Sequence, residues 1–366
     1  MVAIKSNMEV NRCLVIGIYE VWGMKYTNVS VHNYTVFDDH DFDFCDGINV
    51  LLGKNGTGKT HLMKLMYSAG IAAKGRISFA DKLVKTMLPL NGQISRLVSK
   101  GKGNSSTTLE LTACENNSTP VKLSLAFNKK TKKWNGEMKG EEKWEASFHE
   151  NNMTFIPAKE VLSNNYNLSA AVERGNVKFD DTYLDILSAA KVDVSKGRNE
   201  KEKSLMLRKI EKIIGGKVVY DAEQDQFFLK IGNAKQEFNL VSEGIRKLAL
   251  LWTLVKNGAL EDGSVFFWDE PEANINPSAI PLIAEILLML QRHNVQIYIA
   301  THDYFLTKYL EVSRKKDDCI RYHSLYIDDK KIGCEQAERF TLLEHNPIME
   351  TFTALYKKEV EVSWNG

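Results

Sequence analysis

The hydrophobic pattern of the chain has two textures, and each predicts a different kind of sheet. Continuously apolar runs, typical of strands buried on both faces of a parallel sheet, occupy residues 48–52, 265–268 and 295–300. Stretches with apolar residues at helical spacing alternate with these runs, at residues 61–73, 245–256 and 278–291. This alternation predicts an α/β fold with helices packed on a mainly parallel sheet.

The second texture alternates polar and apolar residues, which predicts antiparallel strands. It occurs at residues 107–114 and 121–127, which we interpret as an antiparallel β meander, and more loosely at residues 26–37. We expect an acidic turn at residues 38–43 and a further short strand at residues 154–156.

The remaining segments predict a helical region and two hairpins. Residues 160–214 are charged and helix-prone, with expected breaks at Gly175, Gly197 and the pair Gly215 and Gly216. Hairpins are predicted from residues 217–220 with 227–231 and from residues 320–327 with 331–334, and a last helix from residues 347–358.

Composition excludes several classes of protein. The 366 residues are 43% hydrophobic and 26% charged, which is ordinary for a globular chain of two or three folding units. No apolar run is long enough to cross a membrane. Five scattered cysteines without a C-x-x-C pair argue against a disulfide framework or zinc site and indicate a reducing, cytoplasmic location. A net charge of +1 requires any nucleic-acid surface to be a local patch.

A glycine-rich loop between the first apolar run and its helix predicts a nucleotide site. Residues 53–60 read Gly-Lys-Asn-Gly-Thr-Gly-Lys-Thr and fit the G-x-x-x-x-G-K-[ST] phosphate loop. Its backbone N–H groups and the following helix N-terminus attract phosphate, Lys59 reaches the β- and γ-phosphates, and the Thr60 hydroxyl binds Mg²⁺. The predicted phosphate-binding residues are Asn55, Gly56, Thr57, Gly58, Lys59, Thr60 and His61.

Two carboxylates end the second apolar run, where they would face the phosphate loop. Asp269 is placed to hold Mg²⁺, and Glu270 is the candidate general base that activates the attacking water. The predicted catalytic residues are Glu270, Lys59 and His302, the last of which follows the third apolar run. No N-K-x-D motif for guanine occurs, so we expect ATP rather than GTP. Without the phosphate loop, an Asp-Glu pair after an apolar run would be an ordinary solvated strand end.

Two further elements follow the same order along the chain. Ser242 and Gly244 form a Ser-x-Gly turn that opens a helix, which is either a second phosphate-binding element or ordinary helix capping. His302 follows the third apolar run, where its ring can sense the γ-phosphate.

These four elements in this order resemble the ABC-type ATPase family, over residues 36–62 and 240–303. The resemblance implies an ABC-type ATPase head with ATP and Mg²⁺ as cofactors. It also implies that two copies pair head to tail, so that Ser242 and Gly244 of one copy contact the γ-phosphate held by the other copy. Residues 274–276 would form the loop that crosses between the two sites.

Several departures indicate a branch of this family. The signature reads Val-Ser-Glu-Gly-Ile instead of the transporter sequence, and a long segment separates Lys59 from Ser242. Residues 269–277, 155–160 and 94–98 resemble the RecF/OLD-like soluble ATPases of the AAA_21 type, found in DNA repair and anti-phage systems. Asn276 stands where many of them have histidine. Glu160 or Lys159, and less so Gln93, are candidates for the family's glutamine loop.

This resemblance leaves three functions in competition. The first is an ATP-hydrolysing switch, a homodimer or higher oligomer, that controls a separate effector, such as a nuclease, in anti-phage defence. The second is a RecF/SMC-like repair ATPase that binds DNA itself, and the third, weakened by the departures above, is a transporter subunit. The stretch after His302 is too short for the nuclease domain of OLD proteins, so we expect any cleavage to come from another polypeptide.

A lysine-rich segment bears on the choice between the first two functions. Lys129, Lys130, Lys132 and Lys133, with Trp134 and Trp144 nearby, can contact phosphates and stack a base, or can simply be a solvated hairpin tip.

The expected organisation is a single ATPase core divided by an insertion. We predict an N-terminal extension at residues 1–23, with Met24 as the natural start, and a first core half at 24–76. An inserted β meander and helical subdomain would occupy 77–239, and the second core half 240–366.

Overall fold

The structure is a computed structural model that describes residues 23–100, 106–115, 118–192 and 201–365. The predicted extension at residues 1–23, apart from its last residue, and the predicted break at Gly197 lie outside the described residues.

The described strands, numbered in chain order, are β1 (Lys25–Tyr34), β2 (Phe37–Asp43), β3 (Ile48–Gly53), β4 (Ser106–Cys114), β5 (Val121–Asn128), β6 (Glu137–Lys139), β7 (Met153–Ile156), β8 (Lys217–Asp221), β9 (Gln226–Ile231), β10 (Ala234–Glu237), β11 (Val265–Asp269), β12 (Gln296–Thr301), β13 (Ile320–Asp328) and β14 (Lys331–Ala337). The described α-helices are α1 (Lys59–Ala72), α2 (Phe79–Met87), α3 (Glu141–Phe148), α4 (Leu168–Glu173), α5 (Asp181–Ala190), α6 (Lys201–Ile214), α7 (Glu243–Asn257), α8 (Ile280–Arg292), α9 (Tyr304–Ser313) and α10 (Pro347–Asn365).

A six-stranded sheet forms the centre of the fold, in the order β14-β13-β3-β12-β11-β7. All neighbours pair in parallel except the edge hairpin of β13 and β14. Every residue of β3, β11 and β12 is buried, as their continuous apolar sequences predict. The predicted mainly parallel sheet is therefore confirmed.

Alternate residues of the central strands feed two separate hydrophobic cores. Along β11, Phe266 and Trp268 face the core shared with α7 and α8, whereas Val265 and Phe267 face the core shared with α1. This period of two is the side-chain geometry of any strand, and here both faces are covered. Because both faces of the sheet are covered, residues that follow the carboxyl ends of β3, β11 and β12 are the ones that can reach solvent.

A second, five-stranded antiparallel sheet covers the other side of α1, in the order β2-β1-β4-β5-β6. The amide of Gln296 on β12 ties the two sheets together, because it accepts from the Tyr26 N–H at 2.9 Å and donates to the Tyr26 and Cys45 carbonyls at 2.8 and 3.0 Å. A buried amide with its bonds satisfied fixes the register between two elements. Residues of α1 share one hydrophobic core with both sheets.

Residues 77–239, predicted as an insertion, contribute strands to three different sheets. Strands β4–β6 extend the sheet of β1 and β2, and β7 lies at the edge of the central sheet. Only β8–β10 make a sheet of their own, beside helices α5 and α6. The segment therefore contributes to the hydrophobic cores along its whole described length, since α5, α6 and β9 pack into the same core as α7 and α8.

The acidic turn predicted at residues 38–43 is wrong, since these residues lie in β2. The turn falls earlier, at Thr35, whose φ of 51° is left-handed. Because β2 is an edge strand, its acidic side chains can face solvent while Phe37 and Phe42 are buried. The predicted meander, the two hairpins and the long helices are confirmed, whereas α2, α3, α9, β6 and β10 were not predicted.

Among the described helices, none is both long and apolar enough to cross a lipid bilayer.

Candidate functional site

The phosphate loop follows the buried strand β3 and has the backbone shape that its glycines allow. Gly53, Gly56 and Gly58 have φ values of 143°, 84° and 98°, a region that L side chains rarely adopt. A Cβ at Gly58 would lie 2.4 Å from the Phe37 ring, and one at Gly53 would lie 2.2 Å from the Leu325 carbonyl oxygen. Both positions therefore need glycine for space as well as for conformation.

Lys59 folds back over this loop. Its Nζ donates to the carbonyls of Gly53 at 2.7 Å and Lys54 at 3.1 Å, and the side chain is buried. Burial lowers the pKa of Lys59, against the opposing effect of nearby Asp269, Glu270 and Glu272. A buried ammonium bonded to two neutral carbonyls keeps the capacity to bind a stronger acceptor, such as a phosphate oxygen.

Thr60 and Asp269 meet at the carboxyl ends of β3 and β11. The Thr60 hydroxyl lies 3.0 and 3.2 Å from the two carboxylate oxygens of Asp269. Burial raises the pKa of Asp269 to about 6. Hydroxyl and carboxylate oxygens are the protein ligands that Mg²⁺ accepts when phosphates and water complete its shell, so the donor set fits this ion.

Glu270 occupies a strained position directly beside this pair. Its φ is 47°, and its N–H donates to the Ala300 carbonyl of β12 at 2.9 Å. The side chain remains one-third exposed, with Oε1 at 3.8 Å from Nδ1 of His302. A left-handed residue other than glycine costs about 1 kcal/mol or more and is tolerated where the surroundings hold it. The strain turns the carboxylate toward His302 at the end of the neighbouring strand.

Glu272 is a residue of the site that the sequence reasoning missed. It accepts from the Thr301 hydroxyl at 2.7 Å and from the His302 N–H at 3.2 Å, and its Oε1 lies 3.8 Å from Nδ1 of His302. The other oxygen, Oε2, is buried and has no hydrogen-bond partner among the described residues. Burial raises the pKa of Glu272. The available signal was a second glutamate after proline, two residues beyond Glu270.

The Ser-x-Gly turn packs against the loop that follows Glu270. A Cβ at Gly244 would lie 2.5 Å from the carbonyl oxygen of Asn274, so this close approach requires glycine. Ser242 is the N-cap residue of α7, but its exposed side chain makes no capping bond in the described structure. The Ser242 hydroxyl is thus available to bind a group that does not belong to this chain.

Lys247, one turn further along α7, is a second residue that sequence reasoning missed. Its side chain is 1% exposed, and its Nζ donates to the Glu270 carbonyl at 3.2 Å. Burial lowers the pKa of Lys247, while Glu243, Glu272, Glu270 and Asp269 oppose that change. The helix that begins at the Ser-x-Gly turn therefore contacts the backbone of the candidate base.

Two of the candidates for the glutamine loop are engaged elsewhere. The Glu160 side chain is 2% exposed and accepts from Arg246 Nε at 2.7 Å, which ties the exit of β7 to α7. Gln93 accepts from the Lys133 N–H at 2.8 Å, in the lysine-rich segment. Lys159 is exposed just after β7.

His61 and the exposed part of the phosphate loop complete the set of predicted residues. Burial lowers the pKa of His61, and its Nδ1 is buried without a hydrogen-bond partner in the described structure. Asn55 and Gly56 are exposed at the tip of the loop, and Thr57 is buried, with its hydroxyl donating to the Lys54 carbonyl at 2.9 Å. The predicted residues therefore share one loop but differ in accessibility.

The lysine-rich segment presents one aromatic ring to solvent. Lys129, Lys130, Lys132 and Lys133 are exposed, and Trp134 is 41% exposed with Lys133 Nζ at 5.6 Å from its ring centre. The expectation that Trp144 can stack a base is wrong. Trp144 is buried on α3, stacks on Phe148 and donates to the Ala69 carbonyl at 3.0 Å.

Several known proteins are similar to this chain in sequence. Residues 48–308 match the AAA_21 family model, described as "AAA domain, putative AbiEii toxin, Type IV TA system". The DNA replication and repair protein RecF of Geobacillus kaustophilus is 32% identical over 89 residues, which cover 24% of this chain and 23% of that protein. RecF of Bacillus cytotoxicus is 30% identical over 115 residues, which cover 31% of this chain and 30% of that protein. The matches span less than a third of each RecF chain.

Solved structures share the fold over most of the chain. A crystal structure of the Smc head bound to the C-winged helix domain of ScpA has a TM-score of 0.54 at 12% identity and covers 86% of this chain and 97% of that one. A second structure is the Smc head domain with an extended coiled coil, bound to the C-terminal domain of ScpA derived from Pyrococcus furiosus. It has a TM-score of 0.52 at 10% identity and covers 92% of this chain and 100% of that one. These likenesses show the fold, a mixed α/β architecture shared with the Smc head domain.

Proposed function

The chain belongs to the AAA_21 family and is an ABC-type ATPase of the RecF/SMC-like branch, and we propose that it is an ATP-driven switch that controls a separate effector protein. The chain hydrolyses ATP. The observation that carries the switch is the contact of Gly244 with Asn274, because it joins the Ser-x-Gly turn to the loop that leaves Glu270.

The proposal assigns a role to each residue of the site. Lys59 and the loop N–H groups from Asn55 to Thr60 bind the phosphates, and His61 lies in the first turn of α1 behind them. Thr60 and Asp269 hold Mg²⁺, which supplies charge neutralisation at the β- and γ-phosphates. Glu270 accepts the proton of the attacking water, and His302 contacts the γ-phosphate. The loop geometry and the Thr60–Asp269 contact support these roles.

Head-to-tail pairing completes the site in this proposal. Within one copy, a Cβ on Gly244 would meet backbone atoms of Asn274 and Ile275, and the Ser242 side chain at the start of α7 makes no capping bond in the described structure. A hydroxyl with exposed N–H groups at a helix N-terminus is suited to an anion. The γ-phosphate on the phosphate loop of a second copy is the anion that we assign to Ser242 and Gly244. Two ATP molecules then close the homodimer, and hydrolysis opens it.

The effector in this proposal is a separate nuclease in anti-phage defence. The description of the family model, which names a toxin of a toxin–antitoxin system, supports a role in such a system. The change at the dimer interface would pass to the partner through the part of the chain that contains α5, α6 and β8–β10.

A RecF-like ATPase that binds DNA directly is the second candidate. The sequence identity with RecF favours it, as does the exposed lysine segment with Trp134. DNA binding that weakens steeply with salt, and is lost on Lys130→Glu with Lys132→Glu, would select this function over the effector switch. The matched control is the same charge change at the exposed Lys315 and Lys316, which should leave binding intact.

Glu270→Gln tests the switch itself. The amide cannot accept the water proton, so we expect ATP to stay bound and the closed dimer to accumulate in light scattering after gel filtration. Lys59→Ala is the control that should remain monomeric with ATP. Normal turnover by Glu270→Gln would refute the assigned base, and a monomer that retains ATP would refute the pairing.

A further inference from the structure

Two cysteines lie together at the amino ends of adjacent strands, at the edge of the sheet opposite the phosphate loop. Cys45 precedes β3 and is buried, and Cys319 precedes β13 and is exposed. The Ile48 N–H donates to the Cys319 carbonyl at 2.9 Å, and Cys45 Sγ lies 3.5 Å from the Ile48 carbonyl. A Cβ on Gly47 would lie 2.2 Å from the Cys319 carbonyl oxygen, so the two segments touch.

The Cys45 thiol donates to the Ile48 carbonyl, and the Cys319 side chain lies close enough for the two sulfur groups to change each other's ionisation. The interaction between the two groups raises the pKa of Cys45 and lowers that of Cys319, so Cys319 is the first to ionise. The Arg321 guanidinium favours the thiolate, Lys25 is close enough to interact with both cysteines, and Asp46 opposes ionisation. An exposed thiolate beside a buried thiol is the arrangement of a reactive cysteine with its resolving partner.

We propose that Cys45 and Cys319 are a reversible oxidation site that closes to a disulfide on reaction with a hydroperoxide. The Cys319 thiolate attacks the peroxide, forming a sulfur–oxygen bond and releasing alkoxide or hydroxide as the oxygen–oxygen bond breaks. The Cys45 thiol then attacks the sulfenic sulfur, the new sulfur–sulfur bond forms, and the hydroxyl leaves with the Cys45 proton as water. The two thiols lose two electrons, and the peroxide gains them.

The other described cysteines lack this arrangement and provide internal controls. Burial raises the pKa of Cys334 to about 12, which disfavours its thiolate. Cys114 is partly exposed at the end of β4. The oxidation site is independent of the proposed function, since neither cysteine belongs to the nucleotide site.

The test uses the full chain in a Cys13→Ser background, because residue 13 lies outside the described residues. The reduced protein is treated with hydrogen peroxide, denatured, labelled with N-ethylmaleimide and mapped by mass spectrometry. We expect Cys45 and Cys319 to lose label together, at least about tenfold faster than Cys114, with a cross-linked peptide about 2 Da lighter than the sum of its parts. Dithiothreitol should restore both labels.

Substitution of the exposed Cys319 distinguishes the cysteine that reacts with peroxide from the cysteine that resolves the sulfenic acid. Cys319→Ser should leave Cys45 fully labelled at peroxide doses that oxidise the parent, whereas the matched control Cys114→Ser should behave as the parent. The proposal is overturned if Cys319 reaches the sulfinic acid while Cys45 stays labelled, if Cys114 reacts as fast as Cys319, or if Cys45 is oxidised in Cys319→Ser.

Discussion

Thr60 donates its hydroxyl to Asp269 across the carboxyl ends of two strands that β12 separates, with 3.0 Å to one oxygen and 3.2 Å to the other. This contact brings the end of the phosphate loop into hydrogen-bonding distance of the carboxyl end of β11. Both oxygen groups are held before any ion arrives, so the cost of ordering them is already met by the fold.

Asp269→Asn should abolish most of the Mg²⁺-dependent hydrolysis. An amide keeps the contact with Thr60 but loses the negative charge that holds the ion, so we expect kcat to fall by about 100-fold or more. Steady-state kinetics at increasing Mg²⁺ measure the loss. Thr60→Ser retains the hydroxyl and is the matched control, which should keep at least a third of the activity; an active Asp269→Asn would remove Asp269 from the metal site.

The raised pKa of Asp269 makes the stability of the nucleotide-free protein depend on pH. Because burial raises this pKa to about 6, the folded state binds the proton more tightly than the unfolded state. The ionised carboxylate therefore destabilises the fold above pH 6, and this penalty disappears as the pH falls below about 4.

Asp269→Asn should thus raise the free energy of unfolding by up to about 2–3 kcal/mol at pH 7.5, but by only about 1 kcal/mol or less at pH 4.5. Urea unfolding of both proteins at the two pH values measures this difference. An equal effect at both pH values would show that the substitution acts through packing rather than through ionisation.

The sequence predicted the central strands and the residues at their carboxyl ends, because continuous apolar runs and a glycine-rich loop are local patterns. It failed at residues 38–43, where five polar positions suggested a turn although the strand is at a sheet edge. It could not predict Lys247 or Glu272, because their importance comes from contacts with Glu270, Thr301 and His302 that only the packed sheet creates. Trp144 was misplaced for the same reason, since its burial depends on α1.

Lys247→Met should slow hydrolysis without weakening the fold. Removal of a buried charge relieves its desolvation cost, so the melting temperature should stay the same or rise. The Glu270 carbonyl loses its donor, and we expect the base to be less well positioned, with kcat reduced about tenfold and KM nearly unchanged. Lys247→Arg is the conservative control. A fall in kcat that follows a lower melting temperature would indicate a purely structural role.

The pair Glu272→Gln and Glu272→Ala separates charge from hydrogen bonding at His302. Glutamine can still accept from Thr301 and the His302 N–H, and it removes a buried carboxylate that has one oxygen without a partner among the described residues. We expect Glu272→Gln to be as stable as the parent and Glu272→Ala to lose about 1–3 kcal/mol. Chemical unfolding of the three proteins measures both effects, and equal losses would contradict the hydrogen-bonding role.

Mixing two inactive variants tests whether Ser242 acts on the phosphate loop of a second copy. Lys59→Ala damages one end of each composite site, and Ser242→Arg, at an exposed position, damages the other. A heterodimer of the two then contains one site with both ends intact and one with neither. Because neither variant can close a homodimer around ATP, only the mixed dimer has an intact site, and an equal mixture should regain up to about half of the parent ATPase activity if one site suffices.

The matched control carries both substitutions in one chain and is mixed with the parent protein. Its heterodimers have one damaged end in each site, so they should contribute no activity, and the mixture should show only the turnover of the remaining parent dimers. ATPase activity of the two mixtures at equal protein concentration is the measurement. If the single variants do not restore activity although light scattering shows mixed dimers, Ser242 serves its own copy and the head-to-tail arrangement is wrong.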